Sequence, residues 1–116
     1  MKHNQRIGKW GEDIAVDYLT GHSCEIIARN ARTPYGEIDI VARQGDVTLF
    51  VEVKTRTSNK MGLPEESITP RKREHMLAAA DYYAAEHEID HWQMDVVAIE
   101  GKPGVTPRIT YFENAL

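Results

Sequence analysis

A single cysteine, Cys24, among 116 residues rules out an internal disulfide, so the fold must rest on its core alone. That usage fits a reducing compartment. No apolar run approaches the ~20 residues needed to span a bilayer. The start, Met1-Lys2-His3-Asn4-Gln5-Arg6, lacks the apolar region of a secretory signal. A cytoplasmic protein without a membrane partner is therefore expected. A Gly-rich phosphate loop is missing, which argues against the common nucleotide-binding folds. The histidines, His3, His22, His75, His87 and His91, show no zinc spacing. His87 and His91 are four apart, but a helix end is expected between them. Excess positive charge is missing too: the formal net charge is −4. Taken alone, that sum argues against a nucleic-acid partner.

The distribution of charge says something different. Residues 1–10 hold Lys2, Arg6 and Lys9 and no acid. Residues 54–73 hold Lys54, Arg56, Lys60, Arg71, Lys72 and Arg73 against only Glu65 and Glu66. Residues 86–100 hold Glu86, Glu88, Asp90, Asp95 and Glu100 and no Lys or Arg. A polyanion responds to a local patch rather than to the whole-chain sum. With 41% hydrophobic and 28% charged residues, the chain has the balance of a globular protein of one modest core. A single domain over 1–116 is expected.

What the chain does have is a charged hairpin. Two alternating β-branched runs flank Gly45-Asp46, and Gly first in a two-residue loop marks a type II′ turn. With that loop, Ile38 is expected to face Val53, Ile40 Val51 and Ala42 Leu49, on one apolar face. On the other face Asp39 falls opposite Glu52, and Glu37 opposite Lys54. Directly opposed like charges are destabilising. That second face also carries Val41 and Phe50, so it is expected to be covered. Two carboxylates there call for cations. Lys54 supplies one, and a divalent metal would supply the rest, since Mg²⁺ is held by one or two carboxylates plus waters and phosphates. The alternative is a surface cluster in which Glu37 pairs with Lys54 and Asp39 turns to solvent.

Around the hairpin the chain reads as helix, three strands, helix, two strands. Residues 4–20 carry Ile7, Trp10, Gly11, Ile14, Ala15 and Tyr18 at helical spacing, with Gly21 as the stop. Glu12 lies beside that stripe, at the edge of the buried face. Residues 24–30 read as the first strand and 32–36 as a turn. A polar connection over 55–67 follows. Thr69-Pro70 opens the second helix as N-cap and first helical residue, with Met76, Leu77, Ala80 and Ala84 inward. Its first turn, Arg71-Lys72-Arg73, opposes the helix dipole but suits a phosphate. Strands are expected over 92–99 and 108–112. Asp95, among Met94, Val96 and Val97, is expected to be part-buried with a backbone or basic partner. Cys24 reads as a core thiol, and Trp92, Tyr82 and Tyr83 as core or rim packing.

This order, with Glu52-Val53-Lys54 as an E-x-K half-motif and Asp39 thirteen residues earlier, resembles the PD-(D/E)XK nuclease core. Glu12 is similar in place to the extra acidic residue of resolvase-like members. The stretches Gly11-Glu12, Gly36-Glu37-Ile38-Asp39, Phe50-Val51-Glu52-Val53-Lys54-Thr55-Arg56 and Asp95-Val96-Val97-Ala98 resemble the blocks of the YraN family of small bacterial proteins. Ile38 stands where the motif's proline would be. The resemblance implies an α/β, restriction-endonuclease-like core: a mixed sheet of about five strands flanked by two helices.

It also implies a metal-dependent nuclease. Asp39, Glu52, the Val53 carbonyl and Glu12 would hold Mg²⁺ or Mn²⁺, and Lys54 would orient water or stabilise developing charge. Thr55, Arg56, Lys60, Arg71, Lys72 and Arg73 would contact phosphates of branched or single-stranded DNA. Resolvase-like enzymes act on two strands, which implies a homodimer. Two other readings remain open: a non-catalytic nucleic-acid-binding or adaptor module on the same fold, and an interaction domain using the acidic 86–100 segment.

Overall fold

The computed structural model describes residues 3–57 and 68–115, with side chains from Arg6 onward. Lys60 and most of the polar connection, 58–67, lie outside the described residues, as does Lys2. The elements are α1 (His3–Gly21), β1 (Glu25–Thr33), β2 (Gly36–Gln44), β3 (Val47–Arg56), α2 (Pro70–Glu86), β4 (Trp92–Glu100) and β5 (Arg108–Phe112). They form one five-stranded sheet in the order β1-β2-β3-β4-β5. All neighbours are antiparallel except β3 and β4, which are parallel and connected through α2. This is the mixed sheet flanked by two helices that the family resemblance implies.

Each helix covers one face. On the α1 side, Ala15 and Leu19 pack with Ile40, Ala42, Leu49, Val51, Val97 and Ile99. On the α2 side, Met76, Ala79, Ala80 and Ala84 pack with Ile38, Val41, Phe50 and Met94. Ala79, not Leu77, completes the inner side of α2, where small residues let the helix lie close over Phe50. Covered on both faces, Met94 to Ile99 are all buried, as a central strand requires. Tyr83 and Trp92 meet Phe50 edge-on and belong to this packing.

Local signals set the ends of the elements. The Thr69 hydroxyl accepts the Lys72 N–H at 3.1 Å, capping α2 above Pro70. Its other end caps at His87, before His91. Gly45 has φ +61°, as the first position of a type II′ turn needs. The turn expected over 32–36 shrinks to Pro34 and Tyr35, because Arg32 and Thr33 still pair with Glu37 and Gly36.

Asp95 is fully buried, deeper than expected, and of the expected backbone or basic partners it finds the backbone one, joined by two side-chain donors. Its carboxylate accepts the Asn114 N–H at 2.9 Å, the Tyr111 hydroxyl and the Gln93 amide at 3.0 Å. These bonds clamp β5 and the residues after it onto β4. The nearby Cys24 thiol is buried and pushed up in pKa by burial, then by the Asp95 charge.

Candidate functional site

The hairpin register holds from the turn as far as Ile40↔Val51, passing through Gln44↔Val47, Arg43↔Thr48, Ala42↔Leu49 and Val41↔Phe50. Beyond Ile40 the expected pairing is not kept. Where a ladder bond would continue, the Asp39 carboxylate accepts the Val53 N–H at 2.9 Å. Ile38 accordingly leaves the α1-side face on which alternation places it, and packs on the α2 side with Val41 and Phe50. Glu37 is exposed and pairs in register with Arg32 of β1. Among the described residues no ion pair ties Glu37 to Lys54. The surface-cluster alternative, with Asp39 turned to solvent, is therefore not the arrangement found.

Asp39 and Glu52 do come together. Burial, followed by the Glu52 charge, pushes the Asp39 carboxyl up to about 7, against the lowering pull of the Val53 N–H. The closeness of the Glu52 side chain adds to the rise. Charge from Glu12 contributes least.

Two ammonium groups approach the same carboxylate. Lys72 Nζ stands 3.3 Å from Glu52 Oε1 and Lys54 Nζ 3.8 Å from that same oxygen. The side chains of Glu52, Lys54 and Lys72 are 13%, 17% and 38% exposed. Burial and the neighbouring Lys72 amine pull Lys54 down to about 8. Burial also pulls Lys72 down, but the Lys54 amine and the Glu52 carboxylate outweigh it and raise its pKa. Lys72, expected from the sequence to reach flanking phosphates, is thus part of the carboxylate cluster itself. Its side chain reaches Glu52 from the first turn of α2, which the Thr69 cap fixes.

Glu12 is positioned by a close approach of α1 to β3. A Cβ on Gly11 would overlap Thr55 Oγ1 and stand 3.0 Å from Thr55 Cβ. Only glycine lets the helix settle there. Glu12 itself lies 3.7 Å from Arg29 Nη2, which also bonds Asp13 at 2.8 Å. Arg29 was not among the residues singled out from the sequence, because its partners lie sixteen or more positions away on another element. Thr55 packs half-buried under α1 instead of facing an open surface. Arg56 continues the β3–β4 ladder, its carbonyl accepting the Gly101 N–H at 2.9 Å. Arg71 and Arg73 are exposed on the first turn of α2. Of the acidic 86–100 segment, Glu86, Glu88 and Asp90 are exposed while Asp95 is fully buried.

The donor set suits a hard cation. Among the described residues no three His, Cys, Asp or Glu side chains converge as a metal cage. Mg²⁺ does not need one, since one or two carboxylates with waters and phosphates suffice. Asp39 and Glu52 provide two carboxylates. In an antiparallel pair a residue's N–H and C=O point the same way, so the Val53 carbonyl faces the gap that Asp39 occupies. Among the described residues no helix is long and apolar enough to cross a membrane.

Comparison with known proteins supports the resemblance seen in the sequence blocks. A UPF0102 protein of Dehalococcoides mccartyi is 40% identical over 120 residues, spanning all of this chain and 98% of that protein. One from Rhodococcus opacus is 42% identical over 118 residues, 99% of each chain. Another, from Caldicellulosiruptor bescii, is 43% identical over 107 residues, 88% of this chain and 90% of that one. The model of the family described as "Uncharacterised protein family UPF0102" matches residues 11–99, a span that contains Glu12, Asp39, Glu52, Lys54 and Lys72. The chain belongs to the UPF0102 family, which is the YraN family.

Proposed function

We propose that this protein is a metal-dependent nuclease that cleaves DNA phosphodiester bonds at the Asp39–Glu52–Lys54 cluster. The observation that carries the reading is the enforced closeness of two carboxyls. Asp39, holding the Val53 N–H, sits beside a Glu52 that draws in two ammonium groups, and burial with the Glu52 charge pushes Asp39 up to about 7, a cost that a divalent cation would relieve. When bound, Mg²⁺ or Mn²⁺ would polarise the scissile phosphate and lower the pKa of a water. Asp39, Glu52 and the Val53 carbonyl would hold it, with Glu12 contributing negative charge from α1. Lys54, fixed by the strand two residues from Glu52, orients the attacking water and stabilises charge developing on phosphate. Arg71 and Arg73, exposed beside the site, contact neighbouring phosphates.

A panel of linear duplex, single strand, flap and four-way junction, each with Mg²⁺ or Mn²⁺, tests the proposal. Cleavage of at least one by the wild-type chain and none by Glu52→Gln is the expected result. If the wild type cuts none above the Glu52→Gln background, a non-catalytic nucleic-acid-binding role replaces it. That second reading would draw on the same basic first turn of α2.

A further inference from the structure

Two cations on one carboxylate oxygen is an arrangement that invites exchange. Lys54 is fixed there by its strand, but Lys72 reaches Glu52 Oε1 from a different element, on a long stem, and is the more exposed of the two. Glu52 thus has two ammonium partners where one would neutralise it. A divalent cation between the carboxylates would add two positive charges beside those ammonium groups. Lys72, which reaches in from another element on the more exposed side chain, is the cation free to swing away. A phosphodiester arriving beside the metal carries the negative charge that a displaced ammonium seeks.

We propose that Lys72 is a displaceable internal counter-ion of Glu52, exchanged for the metal and then transferred to a substrate phosphate. Metal loading and phosphate binding are thereby coupled. The inference rests on the metal-dependent reading above. Lys72 stands in for the cation while the site is empty, keeping Glu52 from bearing an unpaired charge at low exposure. Once displaced, it adds to affinity for nucleic acid only when metal is present. By linkage, DNA then tightens metal binding by the same factor.

Calorimetric titration of the full chain with Mn²⁺, without nucleic acid, tests this. Lys72→Met removes the competitor and is expected to tighten Mn²⁺ binding roughly tenfold, while Lys72→Arg keeps wild-type affinity. Asp39→Asn is expected to abolish binding. Anisotropy of a labelled single-stranded DNA gives the second arm: Mn²⁺ should strengthen DNA binding to the wild type and not to Lys72→Met. Unchanged or weaker Mn²⁺ affinity in Lys72→Met, with wild-type binding still lost in Asp39→Asn, overturns the counter-ion role and leaves the metal site standing. No Mn²⁺ binding by the wild type overturns both.

Discussion

The Asp39 carboxylate accepts the Val53 N–H at 2.9 Å, in the place of a backbone bond between β2 and β3. The ladder gives way where the two acids would otherwise be clamped face to face. Asp39 is held by the neighbouring strand beside Glu52, and the Val53 carbonyl opens toward it. The arrangement has consequences for stability as well as for chemistry.

The first concerns pH. An unfolded aspartate titrates near 3.9, and folding raises Asp39 to about 7. An acid whose folded pKa is raised costs stability increasingly from its unfolded value upward, with the full cost present above its folded value. In metal-free protein, Asp39→Asn should therefore change little near pH 4 and stabilise the fold above pH 7, by on the order of a few kcal/mol. The asparagine can still accept the Val53 N–H. Denaturant melts in chelator at pH 4.5 and 8.5 check this. A mutant equally or less stable at the higher pH would contradict the strained pair.

Gly11→Ala should loosen α1 from β3, because the new methyl overlaps Thr55. The expected loss is roughly 1–3 kcal/mol. Adding Thr55→Ala should recover part of it, since the hydroxyl and methyl it removes are the groups overlapped. Thermal melts of the two single variants and the double variant measure the coupling.

The Asp95 clamp is structural. Tyr111→Phe deletes a donor to a fully buried carboxylate and should cost roughly 1–3 kcal/mol. Mn²⁺ and DNA binding, measured below the melting transition, should stay as in the wild type.

Arg71 and Arg73 separate binding from the cluster. Replacing both by Ala should weaken DNA binding and flatten the log–log salt dependence by about one to two units. Replacing Glu86 and Glu88 should not weaken it. An unchanged slope would place the phosphate contacts elsewhere.

Much of this was legible in the residues. The Gly45-Asp46 turn and period-two alternation set the hairpin register, and Thr69-Pro70 announced α2, because both signals are local. The sharpest departures came where side chains compete with backbone or meet across elements. Alternation could not show that Asp39 would take a ladder donor and carry Ile38 to the other face. The α2 cap located the helix start but not the reach of Lys72 across to Glu52 on another element. Asp95 gave no sign of Tyr111 and Asn114, sixteen and nineteen positions away. Arg29 looked like any strand arginine until α1 brought Glu12 and Asp13 to it.

On the proposed nuclease reading, Lys54 acts on the reaction and not on binding. A group that stabilises only the transition state lowers the cleavage rate without changing ground-state affinity. The direct measurement is single-turnover cleavage by Lys54→Ala beside its DNA affinity, on whichever substrate of the panel the wild type cuts. Metal-dependent cleavage should fall at least about a hundredfold while the dissociation constant stays within about threefold. Cleavage undiminished in Lys54→Ala would contradict it, as would a loss explained wholly by weaker binding.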